Sequence, residues 1–423
     1  MFRARICAFM GFCLMLAPAS SEARELRFSV ENRVGGNDNV FRSNEDASVD
    51  KKADGFWEIA PRLSLAERRG DLTYALQYQP TYEQYFSQEG VSGFDHAVFG
   101  NANWRLSGSD ALSASGQFAS TRRLRQDFAD LGSTSGVLQG SDRERIKLGR
   151  GRLEYSRYFS PALVGRTSYA IDDLDYSRRS LSDSRSHTGS VGVNYVLDQL
   201  TVVGVTLAGR FRNSRVNQQI RFSGVDLLFQ EIRSSSNTAD ISFLFSRGIT
   251  PTVSISASAG PSLIYTEQEV IPTNPFFGRR REDSNADVSF FANVALEKVF
   301  RRGSVSLTYA RFESGGGGNV GSTIVDDVLL RWSQTWDERW STICYASWNR
   351  RSDLGNSLSS QDSETNRWRL VGTVTRRLDD RVSILARVLW RRQESEQGFA
   401  ANDQNENLIG WIAFRYEFDP TFF

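Results

Sequence analysis

A chain of 423 residues with only two histidines, His96 and His187, has few ways to run acid–base chemistry at neutral pH. Asp95 adjoins His96 and Ser186 adjoins His187, a pairing that a surface hydrolase could use. Neighbours along a strand point to opposite faces, however, so neither pair is poised as nucleophile and base. The run Gly315 to Gly318 lacks the Lys-Ser/Thr that completes a phosphate loop and reads as an external loop. Asp38, Glu45, Asp46, Asp50 and Asp54 lack calcium-loop spacing and read as a solvated segment. Of the three cysteines, Cys7 and Cys13 lie near the N-terminus and only Cys344 follows, so the body of the chain has no disulfide and no cysteine metal site. No catalytic residue, metal or cofactor is expected.

Arginine is the informative residue type. Basic and acidic residues nearly cancel, 51 against 50, yet 47 of the 51 are arginine. The balance excludes a basic nucleic-acid binder and an acidic tail protein. Arginine stays charged and presents a rigid fork to carboxylates and phosphates. What it does here depends on the elements that carry it.

The N-terminus holds Arg3 and Arg5, an apolar run from Ile6 to Leu16, and Ser21-Glu22-Ala23. That order predicts a secretory signal peptide over residues 1–23, leaving 24–423 as a single domain. The apolar run is too short to cross about 30 Å of hydrocarbon as a helix, and no later stretch approaches about 18 apolar residues.

From Leu26 onward the apolar residues recur with period two, the strand signature. Val203, Val205, Leu207, Gly209 and Phe211 form one such set, and Leu408, Gly410, Ile412, Phe414, Tyr416 and Phe418 another. Short polar turns fall at 69–71, 108–110, 160–161, 198–199, 250–251, 301–303, 337–339 and 379–380. Long polar segments at 35–55, 87–95, 124–144, 175–186, 213–237, 267–284, 314–323, 351–365 and 394–406 alternate with them. This pattern predicts an all-β fold: a transmembrane antiparallel up-and-down β-barrel of about 18 strands, with 16 as the alternative, short periplasmic turns and long extracellular loops. A propeller blade of comparable length holds four strands rather than two, and sandwich strands are shorter than 72–86 or 252–265.

Aromatic residues fit two interfacial girdles. Trp57, Trp104, Tyr155, Trp336, Trp340 and Phe418 are assigned to the short-turn side, and Tyr82, Trp348, Trp368 and Trp390 to the loop side. The terminal Phe418-Asp419-Pro420-Thr421-Phe422-Phe423 resembles the signal that the β-barrel assembly machinery reads in outer-membrane proteins, with Phe418 or Phe423 as the residue read. The stretch Gly35-Gly36-Asn37-Asp38-Asn39-Val40-Phe41-Arg42 resembles the G-x-x-D-N-V-F-R opening of a β-barrel porin family of Gram-negative bacteria, often found near exopolysaccharide genes. Ile59-Ala60-Pro61 with Arg68, Leu76-Gln77-Tyr78 and Asp95-His96 are also similar to that family. The resemblance implies an outer-membrane barrel with a transport or secretion-associated role, and carries no catalytic residues.

Assigning faces by alternation places Arg210, Arg212, Asp287, Glu297, Asp327, Arg331, Arg367, Arg369, Arg377, Arg381, Arg387, Arg391, Arg415 and Glu417 on the wet face, with Glu83, Asp240 and Asn293. A barrel of 16–18 strands is wide enough for a hydrated lumen, whose charged walls attract anionic or sugar-acid solutes. The same residues could instead brace one another as wall salt bridges. The leading expectation is a porin-like channel for small hydrophilic or saccharide solutes, associated with exopolysaccharide export. The alternatives are a binding or structural barrel closed by inward-folded loops, with the apolar 213–237 segment as the plug, and an outer-membrane hydrolase. Expected partners are outer-membrane lipids, the assembly machinery and saccharide or anionic solutes, with no nucleic acid. One chain leaves the solute, the direction of transport and the oligomeric state open.

Overall fold

The computed structural model describes residues 24–40, 52–88, 92–121, 145–177, 183–222, 225–272, 280–315, 322–353, 363–397 and 403–422. Residues 1–23, Phe423 and most of the loop segments at 41–51, 122–144, 316–321, 354–362 and 398–402 lie outside the described residues.

Every regular element is a strand. The first nine are β1 (Arg24–Asn37), β2 (Asp54–Arg69), β3 (Leu72–Tyr85), β4 (Gly93–Arg105), β5 (Asp110–Thr121), β6 (Ile146–Tyr158), β7 (Leu163–Tyr176), β8 (Asp183–Val196) and β9 (Thr201–Phe222). The next nine are β10 (Val225–Thr250), β11 (Val253–Pro272), β12 (Arg281–Phe300), β13 (Gly303–Gly315), β14 (Ser322–Thr335), β15 (Trp340–Asp353), β16 (Ser363–Arg377), β17 (Val382–Gln397) and β18 (Asp403–Glu417). Each pairs antiparallel with the next, and β18 returns to β1 through Ser29↔Glu417 to Asn37↔Ile409. The sheet is thus a closed barrel of eighteen strands. Closure is what allows backbone amides to be satisfied where no water is available.

Outward positions are apolar and exposed: Val191, Val205, Leu207, Phe243, Leu263, Val288, Leu370, Val388 and Ile412. Their neighbours in sequence face inward and are polar, such as Ser190, Thr206, Ser262, Arg369 and Arg387. This is the reverse of a soluble protein, with the apolar face outermost. Eight short turns join β2–β3, β4–β5, β6–β7, β8–β9, β10–β11, β12–β13, β14–β15 and β16–β17 on one rim. Three of them have two residues, and in one, Gly70-Asp71, φ of 52° at Gly70 suits the hairpin turn. In the turn after β14, Asp337 Oδ1 accepts from the Arg339 and Trp340 amides at 2.7 Å each, and those bonds hold its carboxyl below the usual range.

Three expectations are corrected. The 213–237 segment is not a loop: β9 and β10 continue as a paired hairpin to Phe222↔Val225, extending the wall instead of plugging it. The 175–186 segment is half strand, since β7 runs to Tyr176 and β8 starts at Asp183. Trp57 sits three residues from the loop-side start of β2, with its ring edge-on to Tyr82 at 6.2 Å, so it belongs to the loop-side girdle.

At the short-turn rim, Phe418 packs on Phe28 at 5.0 Å and Tyr416 at 4.7 Å. Pairing with β1 resumes at Thr421↔Leu26 after Phe418-Asp419-Pro420, three residues set against Arg27 and Phe28. The Asp419-Pro420 interruption is therefore a one-residue bulge in the last strand.

Candidate functional site

Registered pairing places the lumen residues side by side. On β15, β16 and β17, Asn349 pairs with Arg367, Ser347 with Arg369, Arg369 with Arg391, Thr373 with Arg387 and Arg351 with Thr365. These positions share the parity of Tyr345, Val371 and Leu389, a buried inner cluster. Arg351, Arg367, Arg369, Arg387 and Arg391 thus make a basic sector on the inner wall. Arg367 donates to Gln393 Oε1 at 3.2 Å from Nε, and Arg387 donates to the Tyr345 hydroxyl at 2.7 Å. The Arg369 guanidinium lies 4.7 Å from the Tyr345 ring centroid, and its buried Nε has no hydrogen-bond partner. A ring face and a neutral acceptor orient a guanidinium without cancelling its charge.

The carboxylates of the inner wall are used differently. Glu31 on β1, 4% exposed, accepts from Arg33 Nε at 2.5 Å and from Arg415 Nη2 at 2.6 Å, while Arg33 Nη1 also reaches Glu58 at 3.0 Å. On β6 and β7, Arg150 Nε lies 3.0 Å from Asp172. Glu31, Glu58 and Asp172 pair with arginines of their own sector, whereas on the β15–β17 stretch of wall the arginines stand together, with the charge of Arg369 acting on Asp327 of β14.

Above the Glu31 network the β1–β18 junction is clasped by Asn37 to Val40, while Phe41 and Arg42 of the same motif lie outside the described residues. Asn407 Nδ2 donates to Asn37 Oδ1 at 2.5 Å and to the Asn39 carbonyl at 3.1 Å, and Asp38 Oδ1 accepts from the Leu408 amide at 2.7 Å. Asn39 Nδ2 donates to the Glu406 carbonyl at 3.1 Å, and Val40 packs into a core with Phe56 and Tyr85. Asn39 and Asn407 are fully buried. The Asp-Asn-Val part of the motif therefore acts as a closure device where the first strand meets the last. Replacing Asn407 with alanine removes both bonds, leaving Asn37 Oδ1 with the Asn39 amide at 3.0 Å, and is expected to cost about 2 kcal/mol. A urea titration of the barrel in lipid vesicles reads this as a lowered midpoint with an unchanged slope.

The wall is lapped at one place. β12 pairs with β13 only over Ala292↔Arg311 to Phe300↔Gly303, so Arg281 to Phe291 pair with β11 alone among the described residues. Beyond Arg311 the described ends of β13 and β14, at Phe312 to Ser314 and Thr323 to Val325, pass inside the barrel. Glu313 and Ser314 are buried, and so are Thr323, Ile324 and Val325. Consecutive strand residues point to opposite faces, so burial of both requires cover on both sides. Glu313 carries the outward parity of Arg311, yet it meets the inner face of β9. Arg210 Nη1 donates to its carbonyl at 2.7 Å and to Oε2 at 2.9 Å; Arg212 donates from Nη1 to Oε1, and from Nη2 to Oε2 at 3.3 Å. Thr238 Oγ1 on β10 adds a bond at 3.4 Å. A cavity of about 80 Å³ lies beside this contact, lined by Asp240, Ile264, Phe291, Phe312 and Ile324 among others.

The other sequence-assigned residues fall as follows. Asp287, Glu297, Asp327, Arg331 and Glu417 have inward parity, with Asn285 Nδ2 donating to Asp287 at 2.9 Å and Asn349 Nδ2 to Asp327 at 3.4 Å. Arg377 ends β16 at the short-turn rim. Arg381 is not on the lumen wall: it sits in the β16–β17 turn, where Asp379 Oδ1 accepts from its amide at 2.8 Å and its guanidinium meets Asp419. Alternation cannot be carried through a turn, which is why the parity count misplaced it. Glu31, Arg33, Glu58, Arg150, Asp172, Glu313 and Arg351 were not singled out from the sequence; all except Glu313 follow the same alternation.

The histidines face outward. His96 Nδ1 lies 3.0 Å from the Tyr78 hydroxyl and His187 Nδ1 lies 2.6 Å from that of Tyr169. Asp95 points the other way and accepts from Thr121 Oγ1 at 2.9 Å. Among the described residues no cluster of three or more His, Cys, Asp or Glu side chains could hold a metal ion. The loop-side ends of β7 to β12 enclose a cleft of about 990 Å³ bearing Asp173, Asp183, Arg185, Arg215, Arg233 and Glu267.

No family model and no curated protein matches the sequence. Solved structures do match. The siderophore receptor PiuA from Acinetobacter baumannii superposes with a TM-score of 0.50 at 9% identity, over 95% of this chain and 82% of that one. The ferric yersiniabactin uptake receptor FyuA from Yersinia pestis gives 0.47 at 9%, over 95% and 81%. OccK5 (OpdH) of Pseudomonas aeruginosa gives 0.39 at 9%, over 94% and 98%. The first likeness agrees with the barrel architecture read from the strand register, and at this identity it speaks of fold alone.

Proposed function

We propose that the chain is an outer-membrane channel for small hydrophilic solutes, with the short turns in the periplasm and a lumen that favours anionic or sugar-acid solutes. Two features support the membrane location: the apolar outer face and the interfacial rings of Trp348, Trp368 and Trp390 on one side and Trp104, Trp336 and Trp340 on the other. The observation that carries the solute class is Arg369: a lumen-facing guanidinium held on the face of Tyr345, with no carboxylate within ion-pair distance among the described residues. Arg367, Arg387 and Arg391 extend that positive strip along the direction of passage. The resemblance of Gly35 to Arg42 to a porin family often encoded near exopolysaccharide genes supports an association with saccharide export.

Liposome swelling tests the reading. Vesicles carrying the barrel are expected to admit a monosaccharide acid faster than the neutral sugar of the same size. Equal rates would remove the arginine strip from the account, and no swelling with either solute would remove the channel.

A further inference from the structure

We propose that Arg210, Arg212 and Thr238 form a binding site for a carboxylate- or phosphate-class anion, occupied here by the chain's own Glu313, and that a solute anion taking this site releases the β13–β14 hairpin from the lumen. The choice of an anionic solute rests on the channel reading above; the latch itself rests on geometry.

The site is built. Two guanidinium groups from one strand and a hydroxyl from the next converge on one carboxylate, and Arg210 also holds the Glu313 carbonyl. The Arg212 and Glu313 side chains are 9% and 3% exposed. Paired guanidinium forks around a planar carboxylate suit other oxyanions equally well. The site opens to the inner face of β9 and β10, so its ligand arrives through the lumen.

The hairpin also has somewhere to go. The β12–β13 register, if continued past Ala292↔Arg311, sets Phe312 opposite Phe291, Glu313 opposite Phe290 and Ser314 opposite Ser289. Phe312 would then face the lumen. Glu313 would face outward beside Arg311, among the charged outer residues Asp326, Arg350 and Glu364 that already stand above the aromatic girdle. Leaving the latch costs the Arg–Glu bonds, and re-pairing supplies ladder bonds to β12 at Ser289 to Phe291. A ligand that binds only one of two such arrangements shifts the population towards it. An anion on Arg210 and Arg212 favours the re-paired state, which both widens the lumen and completes the wall.

Hydrogen exchange of the full chain, folded in neutral detergent, reads this without relying on conduction. Millimolar inorganic phosphate at constant ionic strength is expected to slow exchange about tenfold at the β13-facing amides of Ser289 to Phe291, which gain ladder partners on re-pairing. Glu313→Gln should give the same protection without phosphate, and Arg212→Gln should abolish the phosphate response. Unchanged exchange at Ser289 to Phe291 in phosphate overturns the proposal, as does a phosphate effect that survives Arg212→Gln. The phosphate arm needs no mutation, so a variant that fails to fold leaves the test intact. Protection that changes in a protein that never conducts would keep the latch and remove the channel; conduction without any change in protection would do the reverse.

Discussion

Arg369→Glu is expected to turn an anion-preferring pore towards cations. In a water-filled lumen an ion passing about 6 Å from a unit charge gains roughly 0.7 kcal/mol, or about threefold in local concentration. Inverting the residue changes the wall by two charges, so local chloride falls and local potassium rises about tenfold each; the chloride-to-potassium permeability ratio should fall by up to about a hundredfold at low salt, and by less as salt screens the wall. Arg369 suits the experiment because it lies on a ring face and makes no ion pair among the described residues, although its charge also acts on Asp327, so Asp327→Asn is the matching control. Arg391→Glu, directly across the β16–β17 ladder, should act in the same direction. A ratio unmoved by Arg369→Glu in a folded barrel would mean that ions do not pass this wall.

Glu31→Ala should be the most damaging single change to the barrel. It removes the carboxylate that Arg33 and Arg415 both contact, at the junction where the first and last strands meet. Arg33 and Arg415 would then face each other across a vacated site, with Glu58 retaining a contact only to Arg33. Breaking a buried pair by deleting one partner costs about 3–5 kcal/mol; the lower figure applies because the Arg415 side chain is 25% exposed. Glu31→Gln keeps an acceptor and should cost less. Urea unfolding of the barrel in vesicles separates the three forms, and equal midpoints for the native chain and Glu31→Ala would show that closure does not depend on this network.

Much of this architecture can be read in the chain because a membrane barrel imposes one rule along its whole length. Within the apolar band each strand must alternate, so Val203 to Phe211 and Leu408 to Phe418 declare both the strand and the face. The parity that puts Val388 outside puts Arg387 and Arg391 inside. The rule fails where its cause ends. Above the band both faces are wet, so Asn213, Ser214 and Arg215 show no alternation although β9 continues through them. The polar stretch looked like a loop for that reason. It fails in the opposite sense at the β13–β14 tip, where parity assigns Glu313 to the outer face beside Arg311. Only the adjacent apolar pair Ile324-Val325, buried on both sides at a strand end, hints that this hairpin has left the wall. The asparagines of the Asp38-Asn39 turn carry no periodic signal; their partner Asn407 lies at the far end of the sequence, and only barrel closure brings the two together.

On the proposed function the lumen is wet and its β15–β17 wall is basic. The reversal potential of the unmodified barrel in a planar bilayer, under a potassium chloride gradient, tests it most directly. Discrete conductance steps with a reversal potential on the chloride side are the predicted result. A cation-side reversal potential, or a folded barrel that passes no current even when Glu313→Gln has freed the hairpin, would contradict it.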